Sequence, residues 1–394
     1  MRFASWSAVR DAMLLPEGVT YLNTGSYGIT PRVVFDRATE LRRRMQSNPV
    51  AFLWREQDQL LWHARTKLAD FLHVDPKRLI FTANVSVAIN IIATSLRLAA
   101  PGAVLMTNHE YGSMRYAWER ATRLQGLNLR FAQLPVPARE PGQIIDAVTS
   151  AFKPETRLLF ISNICYTTGT VLPVKEICAA ARRHGILTVV DGAHAPGMIP
   201  LDLQSIGCDF YCANLHKWLL APLGAGFLYF APNQEDRLQP MVASWGWHYD
   251  RAKADERDEF GSTPRIRSFE FEGSRDLCPW LTVPTAIDFH QEIGPELIRR
   301  RHRELSDRVR ERFQGLPKLS LVTPEHAELR GGLTAYRLDP IDMTAFRKTM
   351  FETYRIEVPI IEHTEGNFLR VSTHFYNTEE EVDRLASILP QLLR

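Results

Sequence analysis

From about residue 79 the sequence alternates short apolar runs with amphipathic stretches, and this rhythm constrains the fold more than any other feature of the chain. The runs are LIFT at 79–82, AVLMT at 103–107, RLLFIS at 157–162, ILTVVD at 186–191, DFYCA at 209–213 and GFLYF at 226–230. Several are apolar at consecutive positions, so each would bury both faces of a strand, as a parallel sheet covered by helices requires. Helix-period segments fall between them, over roughly 85–98, 112–125, 142–152 and 174–184. Right-handed crossovers would lay these against the sheet. The pattern predicts an α/β fold with a mainly parallel central sheet.

A chain of 394 residues exceeds the size at which one core stops growing, so a second, smaller unit is expected. Residues 20–282 are assigned to a large domain, and 1–19 with 283–394 to a small α+β domain. After about residue 235 the rhythm breaks into a charged, turn-rich stretch, RAKADERDEFGSTPR, read as an exposed excursion. A helix starting near Val283 is expected to run on through ELIRRRHRELSDRVRERF. Thr378 before Glu379, Glu380 and Glu381 reads as an N-cap with acids in the first turn, and so locates the last helix.

Net charge is +2, with 47 basic and 45 acidic residues intermixed. Such a surface offers no sustained basic face, so nucleic acid is not expected as a partner. The run Arg42-Arg43-Arg44 is read as a solvated or interface face of a helix. Five cysteines, an odd number without CxxC pairs, suit a reducing compartment and suggest no metal site. Cys208 and Cys212 flank apolar residues and read as buried structural thiols. No run approaches the roughly 20 apolar residues that span a bilayer, and MRFASWSAVRDAMLL lacks a secretory apolar core. A cytoplasmic location is expected. No GxGxxG follows the first strand, which removes a dinucleotide-binding dehydrogenase.

Chemistry concentrates in two segments, VVDGAHAPG at 189–197 and ANLHKWLLAPLGAGFLYF at 213–230. Asp191 ends an apolar strand, and the carboxyl ends of strands in an open α/β sheet are where ligands bind. By itself it could equally be a turn residue or a metal ligand. Lys217 lies inside an apolar stretch. Burial there would favour the neutral amine that forms Schiff bases, whereas a structural lysine more often lies on a charged face.

These segments, with FTANVSVAIN at 81–90 and NTGSYG at 23–28, resemble the class V aminotransferase family of fold-type I pyridoxal 5'-phosphate (PLP) enzymes. Within it the chain is similar to the isopenicillin N epimerase-like branch through NPVAFLWRE at 48–56, HEYGS at 109–113, VLPVKEI at 171–177 and FEGSRD at 271–276. The resemblance covers nearly the whole chain and implies a fold-type I, PLP-dependent transferase-like architecture.

It also implies site roles. Lys217 would carry PLP as a Schiff base, and Asp191 would pair with the ring nitrogen. That pairing keeps the ring able to accept electrons from Cα. Lys217, once freed, is the natural acid–base group. His194 would touch the ring oxygen or the substrate carboxylate, although a lone histidine is more often structural. Asn84, Val85 and Ser86 match the family's phosphate-binding turn, where helix amides meet an anion; the simpler reading is an N-cap. Asn214 and His216 match further phosphate contacts. Tyr111 matches the ring that stacks on the cofactor. Gly273 and Ser274 match a segment reaching the neighbouring subunit's phosphate, which implies a homodimer with shared sites. Arg370 matches the arginine that binds the substrate carboxylate bidentately; a surface strand arginine is the alternative. Tyr166 stands where relatives carry Asn or Ser, so its contact to the ring oxygen departs from the pattern. No cysteine follows Cys278, which disfavours the persulfide chemistry of cysteine desulfurases.

The implied activity is PLP-dependent chemistry at Cα of an amino-acid-like substrate, epimerase- or racemase-like. β-Elimination or carbon–sulfur lysis, and transamination, start from the same activated Cα and remain alternatives. Epimerisation needs a second acid on the face opposite Lys217, with Tyr27 and His194 as candidates. Aromatics in SWGWHY at 244–249 and around Phe52 and Trp54 could line a side-chain pocket or pack ordinarily.

Overall fold

A computed structural model describes residues 3–259 and 261–393. The six apolar runs all become strands: β2 Leu79–Thr82, β3 Ala103–Thr107, β5 Thr156–Ser162, β6 Leu187–Asp191, β7 Phe210–Asn214 and β8 Gly226–Phe230. Two further strands occur in this part of the chain, β1 Thr20–Tyr21 before them and β4 Asn128–Ala132 between β3 and β5. The large sheet has the order β2-β8-β7-β6-β5-β3-β4, parallel throughout except for β8. β4 shows no apolar run in the sequence because, unlike the other edge strand β2, it is largely exposed. Asn128 and Phe131 are exposed, so the strand lacks an apolar run.

Both faces of this sheet are covered. Leu105, Leu159, Ile161, Val190 and Phe227 pack in one cluster, while Val104, Met106, Leu158, Phe160 and Val189 pack in another on the opposite side. This alternation within each run is why the runs look uniformly apolar. The expected helices form over Val85–Ser95, Gly112–Gln125, Pro141–Thr149 and Val174–Arg183. The second of these ends at Gly126, whose φ of +66° gives the left-handed cap that glycine adopts without a Cβ penalty.

Beyond residue 235 the sequence reading needs two corrections. The charged stretch is not uniformly exposed. Ala254, Ser262, Thr263 and Arg265 are buried, and Arg265, in the first turn of the helix Pro264–Glu270, pairs with Asp255 at 2.9 Å and Asp236 at 2.8 Å. Local charge suggested solvent; pairing across the fold offsets the desolvation. Phe260 of that stretch lies outside the described residues. The long helix is also two, Val283–Ile293 and Pro295–Phe313, divided at Gly294 with φ +103° and followed by Pro295.

The carboxyl-terminal part holds β9 Leu319–Leu321, β10 Leu333–Leu338, β11 Ile356–Glu357, β12 Ile360–His363 and β13 Gly366–Ser372. An antiparallel sheet of order β12-β13-β10-β9 packs under the helices Pro295–Phe313, Met343–Glu352 and Glu379–Leu392, with Val309, Phe346, Leu369 and Leu385 in one cluster. Thr378 makes a full capping box with Glu381 at the start of the last helix. β1 pairs with β11 in parallel, so the N-terminal strand joins this part before the chain enters the large sheet. Among the described residues no helix is long and apolar enough to cross a membrane. All five cysteines are free and buried, as Cys208 and Cys212 were expected to be.

Candidate active site

Sheet topology gathers the chemistry on one edge. β3, β5, β6 and β7 run parallel, and β2 shares their direction because it is antiparallel to β8, which is antiparallel to β7. Thr82, Thr107, Ser162, Asp191 and Asn214 therefore end their strands at the same edge, with Ser162 in register with Asp191 and Asn214 with Gly226. A cavity of about 410 Å³ opens there. Its walls include Tyr27, Asn84, Val85, Ser86, Tyr111, Tyr166, Asp191, His194, Asn214, His216, Lys217 and Arg370. Of the cofactor and substrate residues named in the sequence, only Gly273 and Ser274 are outside this lining; both are exposed, in the bend after the helix Pro264–Glu270. The aromatic stretches are not brought to it either. Phe52 is buried in the large core, and Trp54, Trp245 and Tyr249 line a separate cavity of about 340 Å³.

Lys217 sits in the turn between β7 and β8. Gly28 donates its N–H to the His216 carbonyl at 2.9 Å and lies so close to the Lys217 carbonyl that a Cβ at position 28 would collide with it. The lysine Nζ is 3.2 Å from His194 Nε2, and Trp218 Nε1–H donates to His194 Nδ1 at 3.2 Å. Burial holds His194 far below the usual histidine range, and the neighbouring Lys217 and Arg370 charges push the same way. A neutral ring whose Nδ1 accepts from Trp218 carries its proton on Nε2, an assignment inferred from the network. That N–H then donates to the lysine, which can accept only as a neutral amine. Consistently, burial first and Arg370 second push Lys217 down to about 7, against the pull of Asp191.

Asp191 is buried at the end of β6, and its Oδ1 accepts the Ala193 N–H at 2.8 Å. Burial pushes its carboxyl up to about 6, opposed by that hydrogen bond and by Lys217. Lys217 and Asp191 thus each move toward neutrality, because desolvation outweighs their mutual attraction.

At the other wall the helix Val85–Ser95 starts with Asn84 in extended conformation, its side chain accepting from Val87 N at 3.1 Å. Asn214 Oδ1 accepts from Val85 N at 3.0 Å. The N-cap reading and the anion-turn reading both fit: two first-turn amides have side-chain acceptors, while among the described residues the Ser86 amide has none. His216 Nδ1 is buried without a partner. Its ring stacks on Tyr27 at 6.0 Å, and burial pushes its pKa down to about 4.

Arg370 enters from β13. It donates to the Tyr166 carbonyl at 3.0 Å, Ser26 Oγ at 3.2 Å and Asn23 Oδ1 at 3.4 Å. Among the described residues no carboxylate pairs with it, its Nε lacks a partner, and burial pushes it down to about 10. A side chain at Gly25 would press on this guanidinium and on Ser372. A buried, unneutralised guanidinium facing a cavity favours an anionic ligand. Tyr111 and Tyr166 meet edge to face at 5.2 Å, and burial raises the Tyr166 phenol to about 12.

Several contributors were missed in the sequence. Ser26, Ser162 and Ile361 also line the cavity, and Trp218 orients His194. Ser162 ends the RLLFIS run, so the strand-end argument used for Asp191 could have found it. Ile361 comes from β12, whose position over the site no local pattern reveals.

The sequence profile of the family described as aminotransferase class-V matches residues 20–385. Isopenicillin N epimerase of Amycolatopsis lactamdurans is 49% identical over 393 residues, 98% of each chain. Isopenicillin N epimerase of Streptomyces clavuligerus is 47% identical over 395 residues, 100% of this chain and 99% of the relative. Among solved structures, a cystine C–S lyase in complex with its reaction product cysteine persulfide superposes with a TM-score of 0.84 at 25% identity, covering 95% of this chain and 98% of that one. By sequence and by fold, the chain belongs to the class-V aminotransferase family of PLP-dependent enzymes.

Proposed function

We propose that this enzyme inverts configuration at Cα of an amino-acid-like substrate, with Lys217 as the PLP-bearing lysine. One observation carries the reading: a buried lysine amine, lowered to about 7 by burial and Arg370 and contacted by His194, shares a cavity with Asp191 and with the anion-seeking Arg370. The residues fit the cofactor. A neutral amine suits covalent attachment and Asp191 suits a ring nitrogen. The Ser86 amide, with no acceptor among the described residues, and the orphaned His216 Nδ1 suit a phosphate beside the helix start. Asn84, Val85 and Asn214 shape that corner, and Tyr111 and Tyr166 flank it. Bound there, PLP supplies a ring that accepts the electron pair left when a bond to Cα breaks.

The chain's own groups do the rest. Arg370 holds the substrate carboxylate by paired N–H donors. Lys217 Nζ, lowered to about 7 and so able to exchange a proton near neutral pH, takes the Cα proton and can return it, and His194 Nε2–H extends that proton network. Tyr27 reaches the cavity from the amino-terminal segment, stacked on His216, and is our candidate for the second donor. Gly273 and Ser274 would complete the phosphate corner of a partner subunit in a homodimer. We assign residues 20–282 to the large domain and 1–19 with 283–394 to the small one, with the helix Val283–Ile293 bridging: Val283 and Ile287 join the large core, Phe289 and Ile293 a cluster with Val9 and Met13. Free buried cysteines support a cytoplasmic enzyme.

The likeness to a cystine C–S lyase favours β-elimination as the second reading. Purified enzyme and Lys217→Ala are mixed with Cα-deuterated amino acids, and deuterium, enantiomer ratio and pyruvate are followed. Deuterium loss with formation of the opposite enantiomer supports the proposal. Pyruvate release without inversion replaces it by the lyase reading, and activity in Lys217→Ala overturns the lysine assignment.

A further inference from the structure

Behind Ser162 lies a carboxyl that the proposed chemistry leaves unused. Glu110, in the loop between β3 and the helix Gly112–Gln125, is buried. Its Oε1 accepts the Thr107 hydroxyl at 2.7 Å and the Ser162 amide at 3.1 Å, and its Oε2 bonds the Ser162 hydroxyl. No cation neutralises it among the described residues. Glu110 also borders an outer cleft of about 790 Å³ that shares Tyr166 with the catalytic cavity, whereas Ser162 borders the catalytic cavity itself. The pair thus bridges the wall between the two spaces, and it does so beside Asp191, the in-register neighbour of Ser162.

We propose that Glu110 is a positioning residue of the cofactor site, acting through Ser162 as a hydrogen-bond switch. With Glu110 ionised, the Ser162 hydroxyl proton points back toward it. With Glu110 protonated, the carboxyl donates to Ser162 Oγ, and the serine proton is free to point into the cavity beside Asp191. A hydroxyl both donates and accepts, so the relay needs only rotation about one bond. The proton on Glu110 comes from the outer cleft, and nothing is oxidised or reduced.

The surroundings place this switch in the neutral range. Burial pushes Glu110 up to about 7, against the bonds from Ser162 and Thr107, with the Asp191 charge adding to the rise. The other titratable groups near it are Cys165 and Tyr166, both raised by burial, and His109, which burial lowers to about 4 and which contacts Glu365. His363, Arg115 and Glu365 line the same cleft. Asp191, the in-register neighbour of Ser162, is itself raised by burial to about 6.

This inference rests on the cofactor-site reading above, and the test separates the two. PLP-loaded wild type, Glu110→Gln and Ser162→Ala are titrated across neutral pH while the absorbance of the bound cofactor is recorded. Wild type should show a spectral step centred near 7. Glu110→Gln, which donates permanently to Ser162, and Ser162→Ala, which lacks the relay, should both lose that step. A merely structural role would change cofactor affinity or melting temperature but leave the step in place, so a step retained in either variant overturns the proposal. In the cofactor-free proteins, the infrared band of a protonated carboxyl should grow in below the midpoint in wild type, and at higher pH in Ser162→Ala, where the ionised form has lost a donor. It should be missing in Glu110→Gln, and an identical band in all three also overturns the proposal. If wild type retains no bound-cofactor absorbance, the cofactor-site reading itself fails; if absorbance is retained without a step, only the switch does.

Discussion

Replacing Glu270 by Gln should cost this protein about 3–5 kcal/mol, the range for breaking a buried ion pair from one side. Glu270 ends the helix Pro264–Glu270, and its two oxygens take Arg65 NH1 at 3.0 Å and NH2 at 2.7 Å, with the Phe81 N–H at 2.6 Å as a third donor. Arg65 also donates to the Leu79 carbonyl at 2.8 Å, and both side chains are nearly inaccessible, at 1% and 5%. The substituted side chain would keep the volume but turn an amide donor toward guanidinium donors and leave a buried charge uncompensated. For 394 residues the unfolding entropy near the midpoint is roughly 0.8 kcal/mol/K, so the loss corresponds to a fall in melting temperature of about 4–6 °C. Calorimetry on wild type, Glu270→Gln and the exposed-pair control Glu40→Gln reads this directly. Glu40 meets Arg37 on the surface at 2.7 Å, and its loss should cost under about 1 kcal/mol. A shift for Glu270→Gln no larger than the control would refute the claim that this ion pair clamps the helix to β2.

Arg370→Lys keeps the charge but loses the planar fork, so amino-acid binding should weaken by roughly 10- to 150-fold, the equivalent of about 1.5–3 kcal/mol; titration of the cofactor spectrum with substrate checks this, and unchanged affinity would remove Arg370 from the carboxylate role. Acid should destabilise the fold through His290 and His302, which burial pushes down to about 3 beside His374 and Trp218. Their folded values lie below the unfolded one of about 6.5, so their stabilisation is complete above that pH and is lost as pH falls toward 3, by up to roughly 2 kcal/mol each at pH 5. Glu110 and Asp191, raised instead, oppose this trend. The measurement is therefore the difference in melting temperature between wild type and His302→Leu from pH 7 to 5, and parallel curves would contradict the reasoning.

Much of this molecule was determined by local sequence alone. Six apolar runs became six strands of the large sheet because burial on two faces leaves a continuous signature in one dimension. Thr378 marked a helix start because a cap and its first turn are neighbours in the chain. Asp191 and Lys217 could be singled out because an acid or a lysine bordered by buried residues is conspicuous against its own surroundings. What only the tertiary structure decided depends on partners far away in sequence. β4 sits at an edge with no apolar signature, and Arg265 is buried by virtue of Asp236 and Asp255. Trp218 sets the tautomer of His194 across 24 residues, and Arg370 has no counter-charge among the described residues. Glu110 lies behind Ser162, 52 residues on, and there became a buried carboxyl beside a catalytic edge. Periodicity reports which faces are buried. Charge state, tautomer and pairing depend on the field and the donors that the folded surroundings supply, and those are assembled only when distant strands end side by side.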